Sequence, residues 1–410
     1  MRLTFISSLL ADDTPVTGFE IATLAIINEL RHAGIELCFV GFTRAGFRPL
    51  RPNEVSLGEI SFENAGAGAV KKAGWVARAM ARRLPVGAAK LAVLSPEEMR
   101  QAIASAGPSD GYVLNSIQMP TAYPFLATDK PSIFVAHNVE HQSAAENAVN
   151  ARSALMRFLY AREARLLEAA EERLCHEARL VLTLSAMDAQ KLCPRQEERC
   201  IPLALSIGRQ SRADDRQRAY DIGLIGNWSW APNRIGLDWF IENVAPLLPP
   251  DLRVGIAGRF DRRPPAAPAC VSYLGRVPDA QSFVLSCRVM ALATKGGTGV
   301  QLKTIETFEE GMPAVATRAA LRGVDFLPAN VVVAEDPEAF ASALVEQVES
   351  ERAGRLARAD GREFADRQRL ALSAGLGRGI SLFREALSAD ARGGAGRMAE
   401  WSPAVNRMRG

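Results

Sequence analysis

The sequence predicts an α/β protein made of two doubly wound parallel sheets in series. Three observations carry this. Apolar runs of strand length alternate with helical patterns. A polar, charged stretch at 194–220 interrupts the alternation near the middle of the chain. The 410 residues suffice for two domains of ordinary size. The expected division is a first domain over 1–200, a second over 201–388 whose last helices cross back toward the first, and a flexible tail over 389–410.

In the first half, strand 3–8 is followed by a loop through Pro15 and Gly18. Helix 18–34 then places Ile21, Leu24, Ile27 and Leu30 on one side, with Gly34 at its end. Strands follow at 36–41, 111–115, 131–136 and 179–184, with a charged helical region over 142–175. The second half begins after an extended piece at 200–206. Strand 221–225, helix 232–246, strands 252–257 and 271–274, helix 278–286 and strand 288–293 lead to a glycine-rich loop. Beyond it come helix 303–310, strands 314–316 and 331–334, and helices at 337–349, 356–368 and 371–388.

Composition excludes several classes. A net charge of +3 leaves no nucleic-acid footprint. The six cysteines lack CxxC spacing and fall largely in apolar runs, as expected of reduced core thiols in the cytoplasm. The four histidines, at 32, 137, 141 and 176, form no zinc signature, and no DxD occurs, so no metal is expected. No apolar run spans a membrane. The N-terminal run is followed by Asp12 and Asp13 where a cleavage site would need small residues, so a first buried strand is expected there.

Three segments carry chemistry. In Lys295-Gly296-Gly297-Thr298-Gly299-Val300-Gln301-Leu302-Lys303-Thr304-Ile305-Glu306, glycines let backbone approach a bulky ligand. Amides beside a helix N-terminus form an anion cradle, and Glu306 stands one turn inside the helix on the side of Lys303. The other reading is a glycine turn in an ordinary domain. Phe134 to His141 puts His137 and Asn138 directly after an apolar strand, at a cleft mouth or as a strand cap. Ile222 to Phe240 ends a strand at Gly226 and starts a helix at Pro232.

In this order the segments resemble glycosyltransferase family 4, of the GT-B fold: His-Asn-Val-Glu-His, Gly-x-x-x-Trp-x-Pro-Asn, and Gly-x-Gly-x-x-Leu-Lys-x-x-Glu before a Gly-x-Pro strand. The similarity runs over about residues 1 to 350. It implies two Rossmann-like domains facing across a cleft and a retaining, metal-independent transferase needing no cofactor. A nucleotide-diphosphate sugar is the co-substrate and a saccharide or lipid-linked molecule the acceptor, in cell-surface polysaccharide assembly.

By the same resemblance Glu306 binds the ribose, His137 lies near the transferring carbon, and both are catalytic candidates. Gly226, Asn227, Asn233, Gly297, Thr298, Gly299, Val300 and Lys303 line the donor side. Gly18, Asn138 and His141 lie on the acceptor side. Ser185 and Asp188 match a recurrent Ser-x-x-Asp that also suits a helix cap. Where the family has an acid, this chain has Thr298. Where many members carry Arg and Lys, it has Asn227 and neutral neighbours. The phosphate charge then falls to Lys303, Lys295, Arg234 or Arg259. The alternatives are a GT-B sugar-nucleotide epimerase and a non-catalytic homologue that binds a nucleotide-sugar or glycan. A nicotinamide oxidoreductase is disfavoured, since no GxGxxG follows the first strand of either half.

Residues 70–84 form a basic helix. Lys71, Arg78 and Arg82 cluster with Trp75, flanked by Lys72 and Arg83, opposite Val70, Ala73, Ala77, Met80, Ala81 and Leu84. Such a face suits an anionic membrane surface, hence a cytoplasmic protein held peripherally on the inner face of the cytoplasmic membrane. The alternative is a surface helix docked by its small apolar face.

Overall fold

A computed structural model describes residues 1–399 apart from 14, 16, 61–67, 152, 196, 209, 210, 215 and 216. Seven strands form the first sheet: β1 (Arg2–Leu9), β2 (Glu36–Thr43), β3 (Glu54–Glu59), β4 (Gly111–Asn115), β5 (Ser132–Ala136), β6 (Leu180–Thr183) and β7 (Cys200–Pro202). Their order is β3-β2-β1-β4-β5-β6-β7, all parallel. Phe5 of β1 stands opposite Phe39 on one side and Val113 on the other.

The second sheet holds β8 (Tyr220–Asn227), β9 (Val254–Arg259), β10 (Val271–Gly275), β11 (Cys287–Leu292), β12 (Ala314–Ala316) and β13 (Val331–Val333). It runs β10-β9-β8-β11-β12-β13, again parallel. Strands β4, β5 and β6 are buried along their whole length, which is why they read as unbroken apolar runs. Edge strand β3 escaped the sequence pattern because Leu57 alone among its residues is buried.

Two helical expectations are corrected. The region over 142–175 is two helices, Glu140–Val149 and Ala154–Glu177; Ser153 starts the second by accepting the Met156 N–H at 3.2 Å. The pieces at 356–368 and 371–388 are one helix, Gly361–Ala399, which continues past the 388 boundary into the expected tail; residues 400–410 lie outside the described residues. Among the described residues no helix is long and apolar enough to cross a membrane.

The last helix belongs to the first sheet although it follows the second. Leu372, Leu376, Ile380 and Phe383 are buried on one face. Gly375 and Gly379 bring its backbone close to Leu180, Ile201 and Leu203, and Phe383 packs beside Gly111. The chain therefore crosses between the halves twice. Both crossings lie against the same end of the Leu302–Glu309 helix. Glu309 Oε1 accepts the Ser206 hydroxyl (2.7 Å) and the Ile207 N–H (2.8 Å). The Ala359 N–H donates to Gly311 O at 2.7 Å.

The helix Ala69–Ala81 turns Ala79 inward, with Trp75 and Val76 half-buried. The Trp75 ring lies 5.6 Å from Lys71 Nζ and 4.1 Å from Lys90 Nζ, so it is held in the protein and not displayed on the cationic face. Ala73, Ala77 and Ala81 are exposed, with Val70 at 88% and Met80 at 42%. The small apolar face expected to dock thus faces water.

Truncating Phe383 tests the assignment of the last helix to the first sheet. Phe383→Ala empties a fully buried ring site and should cost about 3–5 kcal/mol in urea unfolding. The loss should appear first in hydrogen exchange of β4 and β6.

Candidate functional site

The carboxyl ends of the parallel strands of both sheets meet around a cavity of about 520 Å³. Gly18 and Phe19 reach it from the start of the Gly18–His32 helix after β1, His137 and Asn138 from the end of β5, and Leu184 from just after β6. From the second half come Gly226, Asn227, Trp230 and Asn233 after β8, and Val300 to Lys303 after β11. A cleft at strand carboxyl ends is where open α/β sheets take their ligands.

His137 is buried. Its Nε2 lies 2.7 Å from Asn115 Oδ1, and its ring centroid stands 4.4 Å from that of Phe19. The amide of Asn115 is oriented by its Nδ2, which donates to Ser7 Oγ (3.1 Å) and Thr23 Oγ1 (3.0 Å). Its Oδ1 can then only accept, so Nε2 carries the proton and Nδ1 keeps a lone pair. Burial brings the His137 pKa down to about 3, so the ring is neutral throughout the physiological range. Such a ring accepts a hydrogen bond and does not serve as a general acid. Asn115 was missed in the sequence; its signal is a polar residue ending the apolar run Tyr112-Val113-Leu114.

Across the cavity, Lys303 sits in the first turn of the Leu302–Glu309 helix. Its Nζ donates to Asn233 Oδ1 at 3.2 Å and lies 5.8 Å from the Trp228 ring centroid. Asn233 is fixed in turn by donating to Asn227 O at 3.1 Å. Among the described residues Lys303 has no carboxylate partner. Burial, with the Arg322 charge nearby, brings its ammonium down to about 8. A cation with no carboxylate partner among the described residues, in the first turn of a helix, favours an incoming anion.

The glycine loop is engaged differently from the expected open cradle. Its amides are held by carboxylates of the first half. Gly297 N–H donates to Glu146 Oε2 at 2.9 Å and Gly299 N–H to Asp188 Oδ2 at 3.0 Å. Thr298 is buried between them; its Oγ1 shares a 3.0 Å bond with Ser143 Oγ and donates to Val139 O at 3.3 Å. From the other side Arg322, also buried, donates to Gly299 O (3.0 Å) and Gly296 O (3.1 Å). Gly297 and Gly299 have φ of 85° and 74°, where side chains are strained. Ser185 caps its helix through Asp188 N–H at 3.1 Å, and its hydroxyl donates to Asp188 Oδ2 at 2.7 Å. Glu146 and Arg322 were missed because each reads as an ordinary helix or loop charge.

Other candidates stand elsewhere. Lys295 Nζ donates to Glu335 O at 2.7 Å and lies over the Trp239 ring at 4.1 Å, outside the cavity lining. Arg234 pairs with Asp238 at 2.7 Å, and Arg259 is an exposed residue at the end of β9. His141 turns away from the cavity: its Nδ1 bonds the buried Glu171 carboxylate, which also accepts the Glu140 N–H at 2.6 Å. Glu306 lines a narrow hollow with Ala280, Gln281 and Val284, one turn along from Lys303.

Residues 219–350 match the family model for glycosyl transferases group 1. The solved sucrose-phosphate synthase (tll1590) from Thermosynechococcus elongatus is similar at a TM-score of 0.63 and 14% identity, over 95% of this chain and 99% of its own. The fold is that of the GT-B glycosyltransferases. Anabaena Alr3699/HepE, solved in complex with UDP and glucose, matches at 0.58 and 13% identity over 95% of this chain and 100% of its own. WaaG, a glycosyltransferase involved in lipopolysaccharide biosynthesis, matches at 0.56 and 15% identity over 94% and 99%. No curated protein matches the chain. The family match covers the GT-B half that carries Lys303, Asn233 and the glycine loop.

The buried neutral His137 makes stability depend on pH. The unfolded ring takes up a proton near its ordinary 6.5, whereas the folded ring resists until about 3, so stability falls as pH drops below 6.5. Between pH 6.5 and 5 the loss from this group is about 1.5 kcal/mol. His137→Gln should lose less stability over that interval in urea titrations, whatever its stability at pH 7.

Proposed function

We propose that this chain is a sugar-nucleotide-dependent glycosyltransferase, retaining and metal-independent. It moves a hexosyl group from a nucleotide-diphosphate sugar to a saccharide or lipid-linked acceptor in cell-surface glycoconjugate assembly. The single observation that carries the proposal is Lys303: a cation without a counter-ion among the described residues, at a helix N-terminus, in a cleft faced by neutral His137. The family match over 219–350 supports glycosyl transfer, and the complex of HepE with UDP and glucose supports this class of donor.

In this reaction the leaving diphosphate gains charge as the glycosidic bond breaks. Lys303 and the first-turn amides meet that charge more strongly in the transition state than in the ground state. Asn233 holds the ammonium in place. Glu306 stands about 4.5 Å along the helix, three residues from Lys303, a spacing that suits ribose hydroxyls next to a diphosphate. His137 accepts a hydrogen bond from a hydroxyl of the transferring sugar through Nδ1 while Asn115 fixes its ring. The acceptor enters past Gly18 and Asn138.

A panel of nucleotide-diphosphate sugars in thermal-shift assays identifies the donor, since a ligand that binds the folded form raises its Tm. Lys303→Met and Glu306→Ala should each abolish the shift. Affinity for the nucleoside diphosphate should decline as pH rises through 8, where the Lys303 ammonium loses its proton; a pH-independent affinity removes Lys303 from the site. Turnover of donor without acceptor would favour the epimerase, and NMR of the product anomer tests retention.

We further propose that the helix Ala69–Ala81 rests on an anionic membrane on the cytoplasmic side. Exposed Val70 and Met80 stand among Lys71, Lys72 and Arg78, and residues 69–84 contain no acid. Leu155, Met156 and Phe158, at 67%, 39% and 55% exposure, are further exposed apolar residues, at the start of the Ala154–Glu177 helix. Converting Lys71, Lys72, Arg78, Arg82 and Arg83 to Gln should abolish binding to vesicles containing anionic lipid; unchanged binding overturns this part.

A further inference from the structure

Four contacts from the first half converge on three consecutive residues of the second. Glu146 takes the Gly297 amide, Asp188 takes the Gly299 amide, and Ser143 and Val139 take the Thr298 hydroxyl. A Cβ on Gly299 would stand 2.0 Å from Asn138 Oδ1, so the loop is pressed against the chain leaving β5. The two carboxylates face the loop amides, with Arg322 against the loop carbonyls and Lys303 four residues past Gly299. Asp188 is buried, and its Oδ1 has no hydrogen-bond partner among the described residues. Burial pushes its carboxyl pKa up, against the pull of Ser185, the Gly299 amide and Arg322. The contact is thus held under electrostatic cost.

We propose that Glu146 and Asp188 are positioning residues for the donor site, acting from the opposite half. They hold the glycine loop by the amides that an anionic ligand would otherwise use, and the donor's phosphates compete with them for that loop. This rests on the donor reading above. Gly299 and Lys303 share one short stretch of backbone, so the position of the loop sets the position of the ammonium in the cleft. The carboxylates place the site correctly while lowering its affinity for anions, a coupling between halves that works in both directions.

Isothermal titration of the full chain with inorganic pyrophosphate tests the proposal. Glu146→Gln keeps an acceptor for the Gly297 amide and removes the charge; it should bind pyrophosphate about fivefold more tightly than the unaltered chain. Asp188→Asn should change affinity in the same direction. Hydrogen exchange across 296–302 should quicken in both variants without ligand and slow again with pyrophosphate. A merely structural role would weaken binding, so equal or weaker binding by folded Glu146→Gln or Asp188→Asn overturns the proposal. Lys303→Met separates the two readings. Pyrophosphate binding that survives this change sinks the donor assignment. Binding that is lost with Lys303 yet unaltered by Glu146→Gln sinks only the role of the carboxylates.

Discussion

A side chain at position 299 has no room. Its Cβ would stand 2.0 Å from Asn138 Oδ1 and 2.8 Å from His137 O, and the backbone there has a φ of 74°. Glycine alone satisfies both conditions. The close approach brings the exit of β5 against the loop after β11, so that His137 and Lys303, 166 positions apart, open into one cavity. Gly323 repeats the device with φ of 79° and Leu184 O 2.9 Å from its would-be Cβ. At both positions the neighbours pressing on the glycine include side chain as well as backbone, Asn138 Oδ1 at the first and Val300 Cγ2 at the second.

The electrostatics of the two walls are opposed. On the first half, burial keeps His137 neutral and Asn115 fixes its tautomer, giving a polar wall without charge. On the second, Lys303 keeps a positive charge at neutral pH that no carboxylate among the described residues answers. A ligand with an anionic end and a hydroxyl-rich end finds both walls suited to it, in one orientation. The carboxylates present nearby, Glu146 and Asp188, are spent on backbone amides of the loop and do not neutralise Lys303.

Much of this was legible in the sequence because buried parallel strands announce themselves. The runs at 111–115 and 131–136 are apolar on both faces, so their ends, and with them His137 and Asn138, fall where expected. The helix after the glycine loop was read to within one residue, since Gly311 and Pro313 end it. What stayed hidden depends on long-range pairing. Lys295 and Lys303 look alike in sequence, and only the fold brings Glu335 and Trp239 to the first and Asn233 and the cavity to the second. Nothing local marks Glu146 as the partner of Gly297, because that helix carries a second acid, Glu140, which bonds Asn138 instead. The basic helix misled for a related reason: its moment gave two faces, and burial of Ala79 chose a third orientation.

Both crossings of the chain between the sheets press on Glu309 and Gly311, at the far end of the helix whose first turn holds Lys303. That end is therefore a fulcrum. Any rotation of one half against the other would turn about that end, and the helix, about 12 Å long, would carry the displacement toward Lys303 in the cleft.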